Sequence, residues 1–162
     1  MRYKSFTRVL ALDLHPRRFG YVVLEGPDRL LDWGVCTARQ KRNSEDVLIR
    51  RRLGRLLTLW SPSVIVLHDH VGRSRSSIPR RDRSLNLIRI EAKHRRILVR
   101  SLKTEDLEIQ GMRITHFENA RRVAERFSVL KWKLPPKRKA WDSEHYRMSI
   151  FTAVVLAMSQ IR

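Results

Sequence analysis

The stretch that decides the fold is Arg8-Val9-Leu10-Ala11-Leu12-Asp13, a run of apolar residues that ends in a carboxylate. Apolar residues that follow one another without alternation indicate a strand buried on both faces of a sheet. Such a strand can deliver a metal-binding Asp to the edge of the sheet. It can equally be a core strand that ends in a turn, and this stretch alone leaves both interpretations open.

Two further apolar runs follow and predict an antiparallel meander with the first strand. They cover residues 19–25 and 29–38. Pro16 and its polar neighbours mark the first turn, and Gly26-Pro27-Asp28 marks the second. We therefore expect three consecutive strands at the start of the chain, each paired with the next.

A helix and a fourth strand are predicted next. Apolar residues recur at the helical period after Ser44, a suitable N-cap, and continue to residue 60. Val64-Ile65-Val66-Leu67 is a short β-branched run, and His68-Asp69-His70 follows it. A right-handed crossover would pair this run parallel with the first strand. Asp13 and Asp69 would then lie at the same edge of the sheet.

The second half of the chain predicts further helices and one short strand. Helical spacing of apolar residues covers 84–96, 115–127 and 149–161, and residues 97–100 read as the strand. The last helix is strongly apolar, so we expect it to pack on the sheet. These elements predict one α/β domain that spans residues 1–162.

The charge of the chain limits its partners. Lys and Arg number 35 against 16 Asp and Glu, which gives a formal net charge of +19. This much positive charge repels itself and favours a polyanionic partner, with nucleic acid as the leading candidate. An anionic membrane surface and an acidic protein remain alternatives. No apolar run is long enough to cross a bilayer, and residues 1–13 do not have the pattern of a signal peptide, so we expect a soluble, cytoplasmic protein.

Several other classes of protein are not supported. Cys36 is the only cysteine, which excludes an internal disulfide and a cysteine-based zinc site, and we expect it to be buried. The sequence contains no nucleophile-elbow motif and no glycine-rich phosphate loop. A serine hydrolase, a kinase and a nucleotide-driven motor are therefore not indicated.

Two basic segments are the candidate nucleic-acid contacts. The loop at 72–84 is rich in Ser and Arg and has too few apolar residues to order itself by burial, so it suits a phosphate backbone or is an ordinary disordered connection. The segment that contains Trp132 and Trp141 mixes aromatic rings with Lys and Arg, which can stack bases or simply wrap over the sheet. The candidate contacts are Arg73, Arg75, Arg80, Arg81, Arg83, Lys137, Arg138 and Lys139.

The order of these elements resembles the ribonuclease H-like fold, and within it the RuvC-like branch, which includes Holliday junction resolvases and YqgF-type nucleases. Three blocks carry the resemblance: Ala11-Leu12-Asp13 with Gly20-Tyr21-Val22-Val23-Leu24-Glu25, then Val64-Ile65-Val66-Leu67-His68-Asp69, then Phe151-Thr152-Ala153-Val154-Val155-Leu156-Ala157. The resemblance covers almost the whole chain. It implies a five-stranded mixed sheet of order 3-2-1-4-5, flanked by helices.

The resemblance also implies a two-metal site that holds Mg²⁺ or Mn²⁺ and hydrolyses phosphodiesters. Asp13 would bridge both ions. The RuvC-like pattern has Glu where this chain has His68, so Asp69 would supply the second carboxylate. In the last helix the pattern has an acid or His followed three residues later by Asp-Ala, where this chain has Ser149 and Thr152. Substitute ligands would come from upstream: Asp142, Glu144 and His145.

The function implied by the resemblance is a metal-dependent endonuclease that acts on branched DNA. Its expected catalytic residues are Asp13, Asp69, Glu144 and His145. One alternative is a nucleic-acid-binding relative with a degenerate metal site and little or no cleavage, and another is an RNA-processing nuclease of the YqgF kind. We expect DNA rather than RNA as the partner. A homodimer is common among the resolvases resembled, although no feature of the sequence requires one.

Overall fold

The fold is a mixed sheet with helices on both faces. The computed structural model describes residues 7–15, 17–37, 42–69, 78–103 and 116–161. The strands are β1 (Arg8–His15), β2 (Arg18–Glu25), β3 (Arg29–Thr37), β4 (Val64–Asp69) and β5 (Leu98–Lys103). The α-helices are α1 (Arg42–Trp60), α2 (Ile78–His94), α3 (His116–Arg126) and α4 (Met148–Gln160), and a 3-10 helix covers Ser128–Lys133.

The strand order is β3-β2-β1-β4-β5, which confirms the order that the resemblance implied. β1 pairs antiparallel with β2 and parallel with β4, and β5 pairs parallel with β4. The parallel register places Leu12 opposite Leu67. The next residue on each strand is Asp13 on β1 and His68 on β4, so these two residues reach the same edge of the sheet at the same level.

Alternation along the strands gives the sheet two apolar faces. On one side, which we call the α4 face, side chains such as Val9, Ala11 and Val66 pack against α3 and α4. On the other, the α1 face, Leu10, Leu12 and other side chains pack against α1 and α2. Because side chains of a strand alternate between faces, Asp13 belongs with Val9 and Ala11 on the α4 face.

Some element boundaries differ from the sequence prediction. α1 begins at Arg42, ahead of the expected N-cap Ser44. α2 begins at Ile78, not at Ser84, so the end of the expected 72–84 loop is helical. Pro79 does not prevent this because a proline in the first turn of a helix removes an N–H that has no intrahelical partner. Among the described helices, none combines the length and the apolar composition that a bilayer-spanning segment needs.

Candidate functional site

Asp13 is the centre of the candidate site. It lies near the end of β1, and only 2% of its surface is exposed. A buried carboxylate is costly unless hydrogen-bond donors or cations face its oxygens. The partners that surround Asp13 therefore decide what this position can do.

The first partner comes from α4. The Ser149 hydroxyl donates a hydrogen bond to Asp13 Oδ2 at 2.8 Å and lies 3.3 Å from the Asp13 carbonyl oxygen. Ser149 is in the first turn of α4, where the helix dipole also favours a nearby negative charge.

Gly20 allows this close approach of α4 to the sheet. It pairs with Asp13 in the β1–β2 register. A Cβ atom placed at Gly20 would lie 2.6 Å from the Ser149 Cβ, which is too close for two carbon atoms that are not bonded. The absence of a side chain at Gly20 therefore brings the start of α4 to the Asp13 carboxylate.

Two imidazoles also lie next to the Asp13 carboxylate. His15 Nε2 lies 2.7 Å from Asp13 Oδ2, and His68 Nδ1 lies 3.4 Å from Oδ1. His15 is two residues after Asp13, so both side chains lie on the same face of β1. His68 is delivered by the parallel register of β4 and is as deeply buried as Asp13. We call Asp13, His15, His68 and Ser149 the Asp13 cluster.

The donor set of the Asp13 cluster does not suit a pair of Mg²⁺ ions. Mg²⁺ takes oxygen ligands, and a two-metal site uses several carboxylates, whereas this cluster offers one carboxylate, two imidazoles and a hydroxyl. Within the part of the chain that the structure describes, no three His, Cys, Asp or Glu side chains are grouped so that they could hold a metal ion. The described residues therefore do not fit the two-ion site that the resemblance implied.

Asp69, the second predicted acid, occupies a backbone position at the same edge of the sheet. Asp69 is the last residue of β4 and pairs with Lys103 of β5. Because β1 and β4 run parallel, both strands end at this edge. The side chain of Asp69 lies outside the described residues.

The three upstream candidates lie in the turn before α4, and each has a partner of its own. The Asp142 carboxylate accepts a hydrogen bond from the Lys139 backbone N–H at 3.1 Å. Glu144 Oε1 lies 3.8 Å from His116 Nδ1. His145 stacks on Tyr146 with ring centroids 4.6 Å apart. In the described part of the chain, none of the three joins Asp13 in a metal-binding group.

The predicted nucleic-acid contacts are described in part. Lys137, Arg138 and Lys139 are exposed on the segment that leads to α4. Arg83 is exposed on α2, with Nη1 3.7 Å from Asp46 Oδ2. Arg73 and Arg75 lie outside the described residues. The side chains of Arg80 and Arg81 also lie outside them.

Exposed aromatic rings accompany these basic residues. Trp132 is 90% exposed and Trp141 is 79% exposed. The Lys139 ammonium lies 5.5 Å from the centroid of the Trp141 ring. The segment also lines a cleft of about 190 Å³, together with Phe117 and Met148. Because the large rings face solvent, the segment presents stacking surfaces beside positive charge.

The sequence prediction missed three members of the Asp13 cluster. The family pattern predicts acids at the positions of His68 and Ser149, and the polar run around Pro16 places His15 in a turn. A pattern of acids does not predict hydrogen-bond donors as partners of Asp13. Gly20 is the feature of the sequence that indicates such a contact, since a glycine inside an apolar strand often marks a place where another backbone approaches closely.

Comparisons with known proteins show which fold the chain has. No family model matches the chain, and no curated protein matches it. Solved structures do match: Thermus thermophilus RuvC is 16% identical with a TM-score of 0.71, and the comparison covers 94% of this chain and 92% of that one. The chain has a RuvC-like, ribonuclease H-like fold.

Two further resolvases share this RuvC-like fold. The yeast mitochondrial Holliday junction resolvase Ydc2 is 14% identical with a TM-score of 0.65, covering 96% of this chain and 78% of that one. The fowlpox virus resolvase, solved with Holliday junction DNA, is 14% identical with a TM-score of 0.58, covering 96% of this chain and 97% of that one.

Proposed function

We propose that this protein binds structured nucleic acid, with DNA favoured over RNA, and that the Asp13 cluster replaces the metal-binding carboxylates of the RuvC-like pattern. One observation carries the proposal: His68 and Ser149, which stand where the pattern has acids, both hydrogen-bond to Asp13. Protein donors, in place of divalent ions, thereby balance the buried carboxylate.

The surface charge supports a nucleic-acid partner. The chain carries a formal net charge of +19, and exposed basic residues lie next to exposed Trp rings on the segment before α4. Each phosphate that a Lys or Arg neutralises releases condensed counterions, which drives binding at low salt. The rings add stacking surfaces for the base pairs that lose a stacking neighbour at the branch point of an open junction.

The test is fluorescence anisotropy with a four-way DNA junction, a DNA duplex of equal length and an RNA duplex. We expect the junction to bind most tightly and every affinity to fall steeply between about 50 and 200 mM salt. Asp13→Asn should retain the affinity because Asp13 is buried away from the phosphates. Absence of binding, or binding that is insensitive to salt, contradicts the proposal, and tighter binding of RNA would favour the YqgF-type alternative.

Endonuclease activity is the second candidate function. It is favoured by one observation: β4 ends in an acidic residue, Asp69, at the same edge of the sheet as Asp13. If the ions are held, Asp13 and Asp69 are the residues that would hold them, and the ions would activate water for phosphodiester hydrolysis. The assay is junction cleavage in Mg²⁺ or Mn²⁺, with Asp13→Asn beside the wild type. If the wild type cleaves the junction and Asp13→Asn does not, the endonuclease is established. If the wild type cleaves the junction in neither ion, nucleic-acid binding is the function that remains.

A homodimer is a further part of this proposal, because two copies of one domain match the symmetry of a four-way junction. Light scattering of the free protein and of its junction complex tests it. A single copy of the chain on each junction would contradict it.

A further inference from the structure

A second basic cleft lies on the α1 face, away from the Asp13 cluster. Its volume is about 780 Å³, and it is bounded by α1, the residue after α2, and strands β2 and β3. We propose that this cleft binds backbone phosphates of a second arm of the same nucleic acid through Arg52, Arg55 and Arg95. The inference rests on the proposed function, because it takes nucleic acid as the partner.

Three guanidinium groups line the cleft, two from α1 and one from the residue after α2. Arg52 and Arg55 are three residues apart and therefore lie on one side of α1. Arg95 follows α2, and its Nη1 donates to Thr58 Oγ1 at 3.0 Å, which holds it against α1. Among the described residues, no carboxylate pairs with Arg52 or Arg55. Their positive charge is therefore available to an anion from solution.

The floor of the cleft does not cancel this charge. Among the described residues of the lining, Asp32 is the one acid, and it accepts hydrogen bonds from Trp60 Nε1 at 3.0 Å, the Trp33 backbone N–H at 2.8 Å and the Tyr21 hydroxyl at 3.3 Å. Both of its oxygens are thus occupied by neutral donors. Three arginines face this single, already satisfied carboxylate, so the cleft has a net positive charge.

The two remaining polar groups of the floor stay neutral near pH 7. Burial raises the pKa of the Tyr21 hydroxyl, and Asp32 raises it further. Burial also raises the pKa of the Cys36 thiol, while the nearby Arg52 guanidinium lowers it. Cys36 is half-buried at the cleft, not fully buried as the sequence predicted.

The position of the cleft explains why it would contact a second arm. Tyr21 pairs with Leu12, which faces α1, whereas its neighbour Gly20 pairs with Asp13, which faces α4. The cleft and the Asp13 cluster are therefore on opposite faces of one sheet. A straight duplex that lies along one face does not reach the other, but a branched DNA presents arms in several directions. The cleft should thus add more affinity for a junction than for a linear duplex.

Two triple variants with the same change in charge test this inference. Arg52→Ala/Arg55→Ala/Arg95→Ala removes the cleft arginines. Arg89→Ala/Arg100→Ala/Arg122→Ala removes three exposed arginines that do not line the cleft. We expect the first variant to lose junction affinity about tenfold more than the second, and its salt slope to fall by about 1 for each phosphate that is no longer neutralised. Thermal melts show whether both variants fold.

Several outcomes overturn the inference. One is an equal loss of junction affinity in the two variants, because the change in total charge would then explain the result. Another is that the first variant loses as much affinity for the linear duplex as for the junction. Saturable binding of inorganic phosphate or of a nucleoside triphosphate at the cleft, with no effect of the first variant on the junction, would assign it to a small anion.

The failure of this inference and the failure of the proposed function are distinguishable. If the wild type binds no nucleic acid, the proposed function fails and the inference falls with it. If the wild type binds the junction and the first variant behaves like its control, only the inference about the cleft fails.

Discussion

At the scale of the residue, Asp13 is balanced by groups from three elements. The Ser149 hydroxyl comes from α4, His15 from β1 itself and His68 from β4. Removing one partner of such a buried network leaves the others without their hydrogen bonds, and an unsatisfied buried polar group costs about 1–3 kcal/mol. The Asp13 cluster should therefore contribute to stability whether or not it has a chemical role.

Asp13→Ala tests this contribution. We expect the free energy of unfolding to fall by about 1–3 kcal/mol, because the hydroxyl and both imidazoles lose their acceptor. Urea unfolding measures it. The control is Asp28→Ala, which breaks an exposed ion pair with Arg126 and should cost only about 0–1 kcal/mol. Equal losses in the two variants would show that the cluster adds nothing specific.

His68→Glu restores the acid of the RuvC-like pattern beside Asp13. Two neighbouring buried carboxylates repel each other, so we expect a lower melting temperature without divalent ions and a clear rise when Mg²⁺ is added. His68→Gln, which adds no charge, should lose stability without responding to Mg²⁺. If Mg²⁺ stabilises the wild type as much as His68→Glu, the wild-type cluster already binds the ion and the proposed replacement of metals by protein donors is wrong.

At the scale of the element, the site depends on how closely α4 approaches β2. Gly20 has no side chain, and Ser149 occupies the space that a Cβ would take. A Cβ atom placed at Gly54, in α1, would meet no other atom within 4 Å. The two glycines therefore form a matched pair, in which one site is filled by a neighbouring element and the other is open.

Gly20→Ala should move the start of α4 away from the sheet and destabilise the fold by about 1–3 kcal/mol, because the packed core has no room for the added methyl group. Gly54→Ala should stabilise it by about 0.5–1 kcal/mol, since alanine is the better helix former. Urea unfolding of both variants measures the effects. If Gly20→Ala left the free energy of unfolding unchanged, α4 would not pack against β2 as closely as the structure shows.

At the scale of the whole molecule, the excess of basic residues acts on folding and on binding in opposite ways. The net charge of +19 repels itself in the free protein and attracts a polyanion. Salt weakens both effects, because its ions screen exposed charges beyond about 10 Å at 0.1 M. The stability of the free protein and its affinity for DNA should therefore respond to salt with opposite signs.

Raising the salt concentration should increase the melting temperature of the free protein and decrease its affinity for the DNA junction. Differential scanning fluorimetry and anisotropy in the same buffers measure the two responses. The Arg89→Ala/Arg100→Ala/Arg122→Ala variant, with less positive charge, should show a smaller rise in melting temperature. A melting temperature that falls with salt would indicate that attractive ion pairs, not repulsion, dominate the surface.

The sequence by itself determined the sheet and the place of Asp13 in it. Continuous apolar runs identified β1 and β4 as buried strands, and a right-handed crossover through α1 predicted their parallel pairing. The charge of the chain likewise follows from composition alone. These features are local in the sequence or follow from general rules of chain connection, so they need no knowledge of the packed structure.

Only the tertiary structure decided what surrounds Asp13 and where the second basic cleft lies. Ser149 is far from Asp13 in sequence, and their contact depends on how closely α4 packs against Gly20. Arg52 lies in α1 and Arg95 directly after α2, and they line one cleft only because α1 and α2 pack side by side on the sheet. Such contacts are set by packing between elements, and no spacing within one element encodes them.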